Sequence, residues 1–255
     1  MRLGSGIFSE GYHLSIGEKD ESKYSVFRLG NYQIEETCST NITAKARPPP
    51  ITIYEFEGCP FCRKVREAVS ILSLKVLYKP CPKDGLTFRR EYKEKYGKRA
   101  TFPHMVDPNT GIEMSESDDI IKYLFTAYGD GVVPDSLQGI GAPLTAGIGL
   151  LTRLGKGSSA KPSNPPDDPL VLWSYEGSPF CKIVREELCE LEIPHIQISC
   201  PRGSPNRQKM YDQVGRFQVP YLEDPNEGVA LFESEAIIEY IQKRYGIATP
   251  AMKYM

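Results

Sequence analysis

EGCPFCRKVRE, Glu57 to Glu67, returns later in the chain as EGSPFCKIVRE, Glu176 to Glu186. The same offset superposes Cys81-Pro82 on Cys200-Pro201. With the offset shortened by two residues, FPHMVDP (Phe102 to Pro108) lies on VPYLEDP (Val219 to Pro225), and ESDDIIKYL (Glu116 to Leu124) lies on ESEAIIEYI (Glu233 to Ile241). Four matched blocks in one order make an internal repeat. Each period is long enough to enclose a core of its own, so two copies mean two domains rather than a solenoid.

Outward from these blocks, each copy reads as strand, helix, strand, helix, strand, strand, helix. Ile51 to Phe56 and Leu170 to Tyr175 are short β-branched or aromatic runs that stop at Gly58 and Gly177. Val65, Ala68, Val69 and Leu72 fall at helical spacing, as do Val184, Leu188 and Leu191. Pro60 and Pro179 sit in the first helical turn, where a missing N–H costs nothing. Lys75 to Lys79 and His195 to Ser199 are the expected second strands. Polar helices follow at about Thr87 to Tyr96 and Pro205 to Val214. Asp107 to Gly111 and Asp224 to Gly228 carry turn chemistry between apolar runs and predict hairpins. Ser117 and Ser234 are expected to cap the closing helices with their hydroxyls.

The expected organisation is an N-terminal extension (1–49), a first copy (50–130), a Gly- and Pro-rich linker (131–167), a second copy (168–246) and a short tail (247–255). In the extension, Tyr24 to Thr37 shows some strand-like alternation with no assignable role. The chain has 255 residues, 40% hydrophobic and 25% charged, with a net charge of −2, which offers no basic excess for nucleic acid. Seven cysteines at uneven spacing suit a reducing compartment better than a secreted disulfide scaffold. The N-terminus lacks the basic-then-apolar form of a signal peptide, and its acidic residues argue against an intact transit peptide. No run is long enough to span a bilayer; the nearest, Ile140 to Leu154, is read as a linker with a sticky face for a membrane surface or a partner.

The Cys-Pro-Phe-Cys after the first strand, the X-Pro before the third and the Glu-Ser opening the last helix resemble the N-terminal domain of glutaredoxins and glutathione transferases. The whole is similar to the tandem thioredoxin-fold proteins of plant and algal chloroplasts. The resemblance covers roughly Pro50 to Asp130 and Asp168 to Gly246. It implies an α/β fold of two thioredoxin-like domains, with no all-helical C-terminal domain. It also implies glutathione as cosubstrate or ligand, and a chloroplast location in the stroma or at the thylakoid. Pro103 and Pro220 would be cis, turning the backbone of Phe102 and Val219 toward glutathione. Glu116 and Ser117, with Glu233 and Ser234 in the second copy, would hold its γ-glutamyl group.

Cys59 is expected at a helix N-cap, where unpaired N–H groups and the helix dipole favour a thiolate. Arg63, Lys64 and Arg66 could lower its pKa further, opposed by Glu55 and Glu57. Cys62, buried beneath, would resolve a mixed disulfide. The pair would also suit plain packing or half a zinc site, but no second CxxC or Cys/His pair stands at ligand spacing, and no metal is expected. In the second copy Ser178 replaces the nucleophile and leaves Cys181 alone, which resembles serine-type transferases and implies binding without dithiol exchange. Cys81 and Cys200 are expected to be half-buried loop residues, Cys189 a core residue, and Cys38 free or regulatory.

The leading expectation is therefore a glutaredoxin-like thiol:disulfide oxidoreductase, active through the first copy on a protein disulfide, with the second copy degenerate and used for binding. The alternatives are a noncatalytic adaptor docking onto a larger assembly, perhaps at a thylakoid, and a glutathione transferase-type activity.

Overall fold

The computed structural model describes residues 6–38, 50–97, 101–138 and 155–247. The apolar stretch Ile140 to Leu154 and the tail beyond Ile247 lie outside the described residues. An antiparallel sheet of three strands comes first: β1 (His13–Glu18), β2 (Phe27–Leu29) and β3 (Tyr32–Thr37), in the order β1-β3-β2. The first copy follows as β4 (Ile51–Glu55), α1 (Pro60–Ile71), β5 (Lys75–Pro80), α2 (Phe88–Tyr96), β6 (His104–Asp107), β7 (Ile112–Ser115) and α3 (Ser117–Tyr128). The second repeats it as β8 (Leu170–Ser174), α4 (Pro179–Glu190), β9 (His195–Ser199), α5 (Asn206–Val214), β10 (Tyr221–Asp224), β11 (Val229–Phe232) and α6 (Ser234–Tyr245).

In each copy the first two strands pair in parallel across a helix, and the hairpin adds two antiparallel strands on the far side. Alternation along β4 turns Ile51 and Ile53 toward α1 and α3, where Val65, Val69, Leu72, Ile120 and Leu124 close one core. Tyr54 packs in a separate cluster with Cys81 and Tyr92 of α2. The sheet is thus covered on both faces, as expected of a thioredoxin-like fold. A second repeated anchor ties hairpin to helix. Asp107 is buried and accepts hydrogen bonds from the hydroxyls of Tyr123 and Tyr128, and Asp224 does the same with Tyr240 and Tyr245.

The two copies share one sheet. β5 pairs antiparallel with β9, Lys75 opposite Ile198 through Tyr78 opposite His195, and joins all eight strands in the order β11-β10-β8-β9-β5-β4-β6-β7. Two edges that would invite foreign strands close on each other. The seam is a local two-fold, and segments ahead of each copy repeat across it. Ile7 and Ser9 exchange backbone hydrogen bonds with Arg202 of the second copy, while Ser158 and Ala160 exchange the matching bonds with Lys83 of the first. Gly157 lies at φ +75, where an added Cβ would stand 2.8 Å from the Cβ of Glu57, so only glycine fits.

Beneath these arms lies a buried ionic cluster. Arg66 bonds Glu55 and the Glu176 carboxylate of the other copy, and Arg185 bonds Glu176 and reaches back to Glu57 at 3.2 Å. Glu57 and Glu176 are equivalent positions of the repeat, as are Arg66 and Arg185. The repeated glutamates and arginines of the opening motif therefore build the seam. Two of the predicted local features are corrected here. Ser117 and Ser234 are the first helical residues rather than caps; Glu116 and Glu233 hold the N-cap position at φ 73 and 69, and neither side chain makes a capping bond to its helix. Cys81 and Cys200 are wholly buried, their thiols donating to the carbonyls of Lys79 and Ile198. Cys189 is core as expected, and it also receives the Glu57 N–H at 3.3 Å across the seam.

Burial pushes the Glu55 carboxyl up to about 7 against the pull of Arg66, and Glu57 adds to the push. Burial brings the His195 imidazole down to about 4. Between its ordinary 4.5 and about 7, folded Glu55 keeps a proton that the unfolded chain has lost, so stability falls as pH rises. Between about 4 and its ordinary 6.5, the unfolded chain carries the His195 proton, so stability rises with pH. Each contribution is on the order of 3 kcal/mol, and they oppose each other over most of their range. We therefore expect little pH dependence in urea unfolding between about pH 4.5 and 6.5, and a rise with pH over that interval in Glu55→Gln. A flat profile in the variant would contradict this balance.

Candidate functional site

Pro60 opens α1 and leaves Cys59 as its N-cap in extended backbone, so the Cys59 side chain faces the free N–H groups of the first turn. The Cys62 N–H donates to Cys59 Sγ at 3.2 Å. As a thiol, Cys59 points at the carbonyl of Phe102, 3.9 Å away, and the Phe102–Pro103 bond is cis. Cys59 is only 4% exposed and Cys62 is fully buried, with the half-exposed ring of Phe61 between them in sequence. Hydrogen bonding from the Cys62 thiol lowers the Cys59 pKa, the Cys62 N–H helps, and partial burial works against both. Burial first, and then the Cys59 contact, drives the Cys62 thiol well above its usual range. The two sulfurs are thus biased in opposite directions, Cys59 toward the thiolate and Cys62 toward the thiol.

The three basic side chains expected to activate Cys59 do something else. Lys64 is bonded to Asp118 in the first turn of α3, and Arg63 faces Glu67 and Glu176. Arg66 is spent on Glu55, Glu57 and Glu176, and its effect on Cys59 is smaller than the opposing effect of Glu55. The Lys64–Asp118 pair ties the start of α1 to the start of α3, where Glu116 is exposed and Ser117 is buried. Cys59, Phe102 and Pro103 stand together, and Glu116 and Ser117 open the neighbouring helix.

Copy two repeats the frame without the sulfur. Ser178 caps α4, its Oγ accepting the Cys181 N–H at 3.3 Å, and Val219–Pro220 is cis. Burial raises the Cys181 pKa. Glu233 opens α6, and its carboxylate is bonded by the side-chain amide of Gln218.

Two site residues were missed by the sequence reading. Arg89 of α2 lies over the rings of Phe102 and Phe56, 4.9 and 5.6 Å from their centroids, and its Nε donates to the Cys81 carbonyl at 3.1 Å. Arg207 of α5 makes the same bond to Cys200, at 3.2 Å. The signal was an arginine at equivalent places in two polar helices, hidden by a one-residue length difference after each Cys-Pro. Among the described residues there is no group of three or more His, Cys, Asp or Glu side chains able to hold a metal ion.

The model of the glutathione S-transferase N-terminal domain matches the chain twice, over 53–131 and 172–250, and the chain belongs to that family. One similar solved structure is TDR1 of Leishmania, a trimeric glutathione transferase, at 15% identity and a TM-score of 0.27, covering 80% of this chain and 71% of that one. No curated protein matches the chain.

Cys59 should be alkylated by iodoacetamide at lower pH than any other described cysteine. Cys62→Ala should raise the pKa of Cys59 by removing the thiol donor. Lys64→Met should leave it in place, since that ammonium is engaged by Asp118. The pH dependence of alkylation, followed by peptide mass spectrometry, checks all three.

Proposed function

We propose that the protein is a glutathione-dependent thiol:disulfide oxidoreductase of glutaredoxin type, working through Cys59 and Cys62. The observation that carries this is the Cys59 sulfur at the N-cap of α1, with its pKa lowered and a fully buried thiol one turn behind it. In the proposed cycle the Cys59 thiolate attacks a substrate disulfide. A new S–S bond forms as the old one breaks, and the departing sulfur takes a proton. Cys62 gives up its proton and attacks Cys59, releasing the second substrate thiol and leaving a Cys59–Cys62 disulfide. Two molecules of glutathione restore the dithiol and leave as one molecule of oxidised glutathione. Phe102, next to cis-Pro103, and Glu116 with Ser117 would hold the glutathione backbone and its γ-glutamyl end.

Ser178 has no leaving-group chemistry of this kind, so turnover belongs to copy one and copy two is a binding half. The chloroplast location belongs to the same proposal and rests on the resemblance. An adaptor role has one observation on its side: Leu14, Ile16, Phe27, Leu29 and Tyr32 line one face of the N-terminal sheet, each more than half exposed.

Treating the Cys62→Ser variant with oxidised glutathione should yield one glutathione adduct, on Cys59. The wild type should instead resolve to an internal disulfide, and Cys59→Ser should give no adduct in the first copy. An accessible Cys59 that forms no adduct would sink the proposal and favour the adaptor.

A further inference from the structure

Copy two shows what its mouth accepts. The N-terminal sheet lies against α5 there. Arg207 donates to the Glu36 carboxylate at 2.6 Å and to the Tyr24 hydroxyl at 3.0 Å. Tyr24 packs edge-to-face on Phe217, its N–H donates to Gln208 at 2.7 Å, and the Gln208 amide donates to the Ser22 carbonyl. The Tyr211 hydroxyl donates to the Glu21 carbonyl at 3.0 Å. Three α5 residues, Arg207, Gln208 and Tyr211, thus hold a polypeptide that presents an acid and an aromatic ring.

Arg89 and Arg207 are equivalent, each fixed through Nε to the carbonyl of its Cys-Pro cysteine. Counting onward, Gln208 falls on Arg90 and Tyr211 on Lys93. The surface that grips a polypeptide in copy two is therefore all cationic in copy one. It is also open. The terminal nitrogens of Arg89 have no hydrogen bond or ion pair among the described residues. Among the described residues Arg90 has its one ion pair with Glu94, both side chains about 70% exposed, and such a pair is readily exchanged. The remaining acid of this helix, Glu91, is drawn to Lys79 at 3.0 Å. One ring, Phe102, separates Arg89 from the carbonyl that faces Cys59.

We propose that Arg89, Arg90 and Lys93 form a docking surface beside Cys59 for an acidic segment of a partner polypeptide, on the pattern by which copy two holds the chain's own N-terminal sheet. This names the substrate class of the oxidoreductase, a disulfide protein with acidic residues near the bond, and rests on that proposal only for the reacting sulfur. Docking itself needs no redox step.

The test uses the full chain and a sulfur-free, fluorescein-labelled peptide of alternating Glu and Tyr, read by fluorescence anisotropy against its Lys-for-Glu counterpart. The acidic peptide should bind, and binding should weaken as salt is raised. The double variant Arg90→Glu/Lys93→Glu should weaken it by about tenfold or more, with an unchanged urea midpoint, since both positions are exposed. Arg90→Gln/Lys93→Tyr, which installs the residues of copy two, should fall between. Equal binding of the two peptides, or binding indifferent to both variants, overturns the proposal. Displacement by reduced glutathione together with indifference to the variants assigns the binding to a glutathione site away from this surface, and overturns the proposal too. Peptide binding without the Cys59 adduct described above would sink the oxidoreductase and leave the docking standing; an adduct without peptide binding would do the reverse.

Discussion

Everything else in this molecule hangs on a set of charges that have left water. Glu55, Glu57 and Glu176 converge on Arg66 and Arg185 at the seam between the copies, with all five side chains buried. Such a cluster contributes little net stability compared with an apolar seam, but removing one member strands the others. Its value is positional. Each arginine reaches a glutamate of the other copy, so the charges register α1 against α4 and, with them, β5 against β9. The odd carboxylate is accommodated by neutralisation at Glu55.

The cluster also explains why the site looks as it does. The cations nearest Cys59 in sequence are engaged by other acids, and the Cys59 pKa is lowered from within its own helix instead, by the thiol and the N–H of Cys62. Ser178 occupies the same cap in copy two and makes the same backbone contact, so a hydroxyl there serves the fold as a thiol does. Among the differences between the copies are one atom at the cap, Phe102 against Val219 before the cis proline, and the charge of one helix face.

Much of this was legible in the sequence because the repeat displays it twice. Strands, hairpins and first helices fell where β-branched runs, Asp-Pro-Asn turns and helical spacing put them, and both X-Pro bonds are cis. The misreadings share a cause. The spacing of Arg63, Lys64 and Arg66 points to the nearest reactive group along the chain, whereas Lys64 meets Asp118, and Arg63 and Arg66 both reach Glu176, acids far away in sequence. Ser117 was read as a cap because its hydroxyl suits one, but Glu116 takes the left-handed turn and moves the helix start by one residue. The N-terminal strands were only partly visible. Leu14 and Ile16 alternate with polar neighbours, but β2 is only three residues long and the Glu35-Glu36-Thr37 end of β3 interrupts the period, and nothing local announces that Glu36 will meet Arg207.

The arms that cross the seam bear on concentration. Two separate chains joined by buried ion pairs and one pair of edge strands would associate according to how much of each was present. Here the two copies are parts of one chain, so closing the seam is intramolecular and does not depend on how much protein is present. An interface too weak to assemble two molecules can then stay closed at any dilution. Nor need the two halves be identical, and at Cys59 and Ser178 they are not.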